Sequence, residues 1–162
     1  MKLNSRDLAL IAVFAALYAA LVYALPGISF QLPQVRIADA LIPLSIVFGW
    51  PVVVGVTVGC AVSNVISPLP SVIVDITFGS IANFIASFLA WKIGRWKRNK
   101  SVINEFFGCV VATIAITFIV GTYLAVITEM DLWIWWLDVG IGSVISINIV
   151  GYMLIQVMKK LK

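Results

Sequence analysis

Long apolar runs separated by short polar breaks limit this chain more than any other feature. From Leu8 to Leu25 no side chain carries a charge, and Arg36 to Ile66 is an almost unbroken apolar stretch whose break is Gly49-Trp50-Pro51. In hydrocarbon every backbone N–H and C=O must be satisfied within the protein, so each run is expected to be a helix or to bury its irregular backbone. Composition agrees: 62% of the 162 residues are hydrophobic and 11% charged, whereas soluble domains carry about 25% charged residues. Lys2 and Arg6 before the first run resemble the start of a secretory signal, but the run is longer than a signal's apolar core and further runs follow, so a retained helix is expected.

The fold class expected is all-α: a polytopic membrane protein, one domain over residues 1–162, with six transmembrane helices. The spans are about Asp7 to Leu25, Arg36 to Gly49, Trp50-Pro51 to Ile66, Val72 to Lys92, Val102 to Val126 and Trp133 to Met158, with Ser67-Pro68-Leu69-Pro70-Ser71 as a turn. Charge parity supports the cut at Trp50-Pro51. With six spans and cytoplasmic N and C termini, Lys2, Arg6, the cluster Lys92, Arg95, Lys97, Arg98 and Lys100, and Lys159, Lys160 and Lys162 all lie inside, leaving Arg36 as the outer cation. Merging the second and third spans would put the cluster outside. Trp133, Trp135 and Trp136 on one side and Trp91 and Trp96 on the other suit interfacial aromatic belts.

Ionisable groups inside a span cost about 2.5 to 3.5 kcal/mol at the helix centre, so they face a protein interior or mark a site. Asp75, Gly79 and Asn83 recur every four residues and share one helix face, flanked by Ser80 and Ser87. Asp138, Gly142 and Ser146 repeat the pattern on the last helix, with Asn148 about 80° round. Ser63 and Asn64 close the third span; Arg36 and Asp39 open the second. Four helices thus bring polar groups to one depth while the inner half is nearly featureless, which describes a cup open to the outside rather than a pore. Asn83 and Asn148 could equally be ordinary interhelical hydrogen bonders.

Small residues give a separate signal. Ala12, Ala16, Ala20 and Ala24, with Ala15 and Ala19 beside them, make a flat strip on the first helix, suited either to internal packing or to docking a separate membrane subunit. Gly55-x-x-x-Gly59 is expected to pack internally. Cys60 and Cys109 read as small buried hydrophobes rather than a disulfide or metal site. The chain has no histidine, no phosphate-binding G-x-x-x-x-G-K-[ST] loop and no catalytic serine, cysteine or metal arrangement, so no enzyme, cofactor or nucleic-acid role is expected. A cup without its own motor suggests a binding subunit.

Three stretches carry a family likeness: Val35-Arg36-Ile37-Ala38-Asp39-Ala40-Leu41, Gly55-Val56-Thr57-Val58-Gly59-Cys60-Ala61-Val62-Ser63-Asn64 and Asp75-Ile76-Thr77-Phe78-Gly79-Ser80-Ile81-Ala82. In combination they resemble the QueT family of queuosine-precursor transporters, substrate-binding S components of energy-coupling factor (ECF) transporters. Family members often have Glu where Asp39 stands, and the last two helices match in hydropathy alone. The resemblance implies a six-helix prokaryotic membrane subunit that binds a 7-deazaguanine such as the 7-cyano or 7-aminomethyl form. It also implies partners, a transmembrane coupling subunit and two ATPases, with the alanine face of the first helix docking on the former. A site of Arg36, Asp39, Asn64, Asp75, Asn83, Trp133 and Asp138 is then expected. In it Asp75 accepts the N–H donors of the ring's Watson–Crick edge, Asn64 meets its carbonyl acceptor, Arg36 and Asp39 shape the mouth, and Trp133 stacks on the ring. Three other readings stay open: an S component for another vitamin-like substrate, a proton-coupled carrier using Asp75 and Asp138, and a purely structural subunit.

Overall fold

The computed structural model describes residues 4–96 and 102–161. Lys2, Lys97, Arg98, Lys100 and Lys162, which the charge argument used, lie outside the described residues. Among those described the chain is all-helical. We number the helices α1 (Ser5–Ala24), α2 (Pro26–Phe30), α3 (Ile37–Phe48), α4 (Trp50–Ile66), α5 (Val72–Gly94), α6 (Val102–Thr128) and α7 (Leu132–Lys160).

The helix starts follow local chemistry. Asn4 caps α1, accepting from the Asp7 N–H at 2.8 Å while the Asp7 carboxylate accepts from the Asn4 N–H, a reciprocal box that satisfies two orphan donors. Pro51 sits in the first turn of α4, where its missing N–H costs nothing. The expected break falls at Gly49, whose φ of +80° a side chain would resist. Arg95, just past α5, closes that corner from outside. Its Nε and Nη2 donate to the Ile46 and Val47 carbonyls at 2.6 and 2.7 Å, supplying a cation and donors to the end of α3.

Four helices, α1, α5, α6 and α7, are long and apolar enough to cross a membrane, while α3 and α4 are shorter apolar helices. The second expected span departs furthest from its sequence reading. Residues Ile37–Leu44 form a 3-10 helix and only Ser45–Phe48 are α-helical. At about 2.0 Å per 3-10 residue and 1.5 Å per α residue, α3 is roughly 22 Å long, short of a hydrocarbon core about 30 Å thick. Its burial explains how it survives: Ala38 to Leu44 are all buried, because α3 runs through the middle of the bundle and touches α1, α4, α5, α6 and α7. Irregular backbone is tolerated at membrane depth where protein, not lipid, surrounds it. Opposite it, Val144–Gly151 of α7 form a π-helical stretch, and a Cβ at Gly151 would meet Pro43 at 2.9 Å and the Ala40 carbonyl at 3.0 Å.

Around α3 the sequence neighbours pack in order, α1 on α4, α4 on α5, α5 on α6 and α6 on α7. The α1–α4 seam is where the two small-residue patterns separate. Gly55 and Gly59 pack internally as expected, against Phe14, Ala15 and Tyr18; a Cβ on Gly59 would stand 2.7 Å from the Tyr18 Cβ and 2.8 Å from the Ala15 carbonyl. Ala12, Ala16, Ala20 and Ala24 instead lie on the exposed side of α1. The outside of the bundle is apolar, with Phe118, Val126, Leu137 and Ile141 each about half exposed or more. Such a continuous apolar surface belongs against lipid or another membrane protein.

Candidate functional site

The first half of the site comes from the loop before α3. Val35 N–H donates to the Ile28 carbonyl and the Gln34 side chain to the Ser29 carbonyl, folding residues 31–36 back over α2. That delivers Arg36 into the bundle, 7% exposed. Its Cζ lies 5.2 Å from the Phe30 ring centroid, and its Nη1 reaches the Cys60 sulfur at 3.9 Å. Its Nη2 is buried without a hydrogen-bond partner. Three residues on, Asp39 Oδ1 accepts from the Tyr18 hydroxyl at 2.6 Å. Cys60, expected to be a passive hydrophobe, therefore sits inside a polar cluster.

The second half is built on α4, α5 and α6. Asp75, Gly79, Asn83 and Ser87 are all buried, so the four-residue periodicity correctly marks the inward face of α5. Tyr123 of α6 donates its hydroxyl to Asp75 Oδ1 at 2.5 Å, and Asp75 Oδ2 is left buried and unpartnered. Asn64 donates its amide to the Asp75 backbone carbonyl at 3.0 Å, which fixes the amide's orientation and leaves Asn64 Oδ1 unpartnered. Gly79 makes room for this convergence: a Cβ there would stand 2.7 Å from Asn64 Nδ2 and 3.5 Å from both the Cys60 sulfur and the Tyr123 hydroxyl. The two halves meet at Cys60.

A cavity opens beside the cluster, lined by Gln34, Arg36, Asp39, Asn83 and Ser143 with Ile116, Val120 and Val139. Its volume is about 10 Å³, room for about one water. The expected cup is thus a narrow polar cavity in this structure, too small for a bicyclic ring without movement. Asn83 Nδ2 is buried and unpartnered at its wall. An unmade hydrogen bond to a buried polar group costs about 1 to 3 kcal/mol, so the orphan groups of two lining residues, Arg36 Nη2 and Asn83 Nδ2, and those of the neighbouring Asp75 and Asn64 cluster require an explanation.

Of the seven expected residues Arg36, Asp39 and Asn83 line the cavity, Asn64 and Asp75 form the adjoining cluster, and Trp133 and Asp138 stand elsewhere. Trp133 is 70% exposed and packs edge-on against Trp136, with centroids 5.2 Å apart, on the outside of α7. It is placed for an interfacial belt rather than for stacking in the cavity. Asp138 is half-buried and does not line the cavity; its Oδ2 accepts from the Gln34 N–H at 3.0 Å, tying the loop before α3 to α7. One turn on, Gly142 presses against that loop, and a Cβ there would overlap the Gln34 carbonyl oxygen. Asp138 and Gly142 thus position the loop that carries Arg36.

Sequence reasoning missed Tyr18, Tyr123, Gln34 and the role of Cys60. Each tyrosine is a hydroxyl within an otherwise apolar helix, a signal visible in the sequence but too common to single out. The other end of the bundle is also less featureless than expected. Glu105 is 4% exposed and accepts from Lys159 at 2.7 Å and Gln156 at 3.2 Å, joining α6 to the end of α7.

The profile of the QueT transporter family matches residues 8–160, nearly the whole chain. The chain belongs to the QueT transporter family. QueT membership makes it a membrane transporter of the S-component kind, and the match extends over α6 and α7, where the sequence likeness rested on hydropathy alone. A search of curated proteins and of solved structures returned no match.

Proposed function

We propose that this QueT-family chain is the substrate-binding S component of an ECF importer in a prokaryotic membrane. Its cargo is a 7-deazaguanine precursor of queuosine or archaeosine, taken into a space that widens from the cavity at Arg36 and Asn83 to include Asp75 and Asn64. The observation that carries the reading is four of the unpartnered buried groups, Asp75 Oδ2 and Asn64 Oδ1 as acceptors and Arg36 Nη2 and Asn83 Nδ2 as donors; Thr113 Oγ1 and Asn148 Oδ1 are also unpartnered. A deazaguanine is their complement. Its ring N–H and exocyclic amine are adjacent donors for Asp75 and Asn64, and its carbonyl oxygen accepts from Arg36 or Asn83. Asn64 changes role relative to the sequence expectation, because its amide nitrogen is already given to the Asp75 carbonyl. Asp39 joins the site from the cavity wall, Asp138 acts by holding the Gln34 loop, and Trp133 stays outside.

Loading requires the cavity to widen. In the proposed topology α1, α5, α6 and α7 span the bilayer, the shorter α3 and α4 complete a six-pass path with α3 enclosed by protein, both termini are cytoplasmic and the site opens outward. The exposed Ala12, Ala16, Ala20 and Ala24 face docks on a transmembrane coupling subunit, and two ATPase subunits drive reorientation.

Titration of the purified chain with 7-aminomethyl-7-deazaguanine tests the reading. Binding is expected, with complete or near-complete loss in Asp75→Ala while the detergent-solubilised protein keeps its unfolding midpoint. Unchanged binding in that folded variant would defeat the assignment. Mass analysis of whatever small molecule co-purifies with the chain gives an independent check on the substrate class.

A further inference from the structure

A second hollow, at the other end of the bundle, is far larger than the polar cavity. It is an open groove of about 280 Å³ between α5 and α6, lined by Ile93, Trp96, Asn104, Phe107 and Val111. Ile93 lies about 27 Å along α5 from Asp75, close to the roughly 30 Å thickness of a hydrocarbon core. The groove therefore opens at the opposite membrane interface, whichever way the bundle is oriented.

Its polarity is graded. Asn104, Phe107 and Val111 follow at spacings that place them on one face of α6, stepping from an amide at the mouth to an aliphatic side chain about 10 Å deeper. Asn104 donates its amide to the Trp96 backbone carbonyl, joining the end of α5 to α6 at that mouth. Phe107 is 55% exposed, so the apolar floor is open on the lipid-facing side of the bundle.

Charge at this level has one sign. From Lys92 to Lys100 the sequence holds five cations, Lys92, Arg95, Lys97, Arg98 and Lys100, and no acidic residue. The next carboxylate, Glu105, is 4% exposed and paired with Lys159 at 2.7 Å, so it cancels none of them. An apolar floor below a polar mouth, at headgroup depth and in a basic stretch of chain, is the complement of an amphiphile with a negative head. A neutral partner helix would gain nothing from the uncompensated cations.

We propose that this groove binds a phospholipid with an anionic headgroup, one acyl chain lying along Ile93, Phe107 and Val111 and the phosphate at the level of Trp96 and Asn104. The site is separate from the polar cavity and does not depend on what that cavity carries.

Native mass spectrometry of the full-length chain in detergent, titrated with dioleoyl phosphatidylglycerol, dioleoyl phosphatidylcholine or glycerol 3-phosphate, tests the proposal. Phosphatidylglycerol is expected to bind about tenfold or more tighter than phosphatidylcholine, because attraction of several cations to one lipid charge accumulates. Glycerol 3-phosphate, which has no acyl chain, should not be retained. Val111→Trp, which fills the groove, should abolish the phosphatidylglycerol adduct. Phe107→Gln, at a half-exposed position, should weaken it about fivefold or more by removing apolar contact, and serves if the tryptophan variant does not fold. Lys97→Gln, Arg98→Gln and Lys100→Gln together should bring phosphatidylglycerol down to the level of phosphatidylcholine and leave the latter unchanged. Equal binding of the two lipids by the wild-type chain overturns the anionic selection. An adduct that survives undiminished in the folded groove variants, or glycerol 3-phosphate bound as tightly as the lipid, overturns the site.

Discussion

Asp75 and Tyr123 show how a single residue acquires a role from a partner far away in sequence. The Asp75 carboxylate has one oxygen fixed by Tyr123 and the other free, so its direction is set before any ligand arrives. Pre-orientation of this kind reduces the ordering cost of binding. Trp133 is the opposite case. Its residue type suited ring stacking, yet 70% of it is exposed. Trp133→Ala is therefore expected to leave affinity for a 7-deazaguanine within about twofold, since distant surface changes alter free energies by roughly 0.5 kcal/mol or less; titration of the variant checks this. The adjacent Trp135 is buried and donates to Thr128 at 2.7 Å, so two residues with the same sequence signal take different environments through a rotation of about 200° around α7.

Helix periodicity was a dependable guide where the helix is regular. The α5 face of Asp75, Gly79, Asn83 and Ser87 is inward along its whole length, and the break at Gly49 stands where the proline and glycine signals put it. It failed for α3, because a hydrophobic run of that length does not reveal whether the backbone closes i to i+3 or i to i+4; contacts with the surrounding helices decide that. The α1–α4 seam also depends on spacing that is visible in the sequence. Gly59→Ala would force a Cβ against the Ala15 carbonyl and the Tyr18 Cβ. It is expected to destabilise the bundle by about 1 to 3 kcal/mol, read as a lower thermal unfolding midpoint in detergent. Because Tyr18, packed at that seam, also holds Asp39 of α3, ligand affinity should fall in the same variant.

For the molecule as a whole, the apolar exterior and the polar cluster at one end give the bundle a direction relative to the membrane. In the proposed topology the site end faces outside, which is open to direct measurement. Cysteine introduced at Asp131, in the exposed connection between α6 and α7, should label with an impermeant maleimide on intact cells, whereas cysteine at Asn4 should label only after lysis. Both native cysteines are buried. The reversed pattern would reject the proposed orientation. Ala16→Trp, on the exposed face of α1, is expected to abolish uptake in cells carrying the coupling and ATPase subunits while leaving binding by the purified chain unchanged. Lost binding in that variant would mean that the strip serves folding of this chain rather than docking.

Hydrophobicity and charge act locally, so the sequence alone determined that the chain is a helical membrane protein, where its long helices run, and which faces of α5 and α7 point inward. The family likeness was legible for a related reason: the residues that carry it lie in three short contiguous stretches. The candidate site was legible only in part. Arg36, Asp39, Asn64, Asp75 and Asn83 stood out because charge and amide groups are expensive in an apolar bundle, but their pairing was not visible. Tertiary structure decided that Tyr18 takes Asp39, that Tyr123 takes Asp75, that Asn64 spends its donor on a backbone carbonyl and that Arg36 pairs with neither carboxylate. Those outcomes depend on distances between helices far apart in the chain, and such distances follow from the packing of every helix around the central, half-length α3.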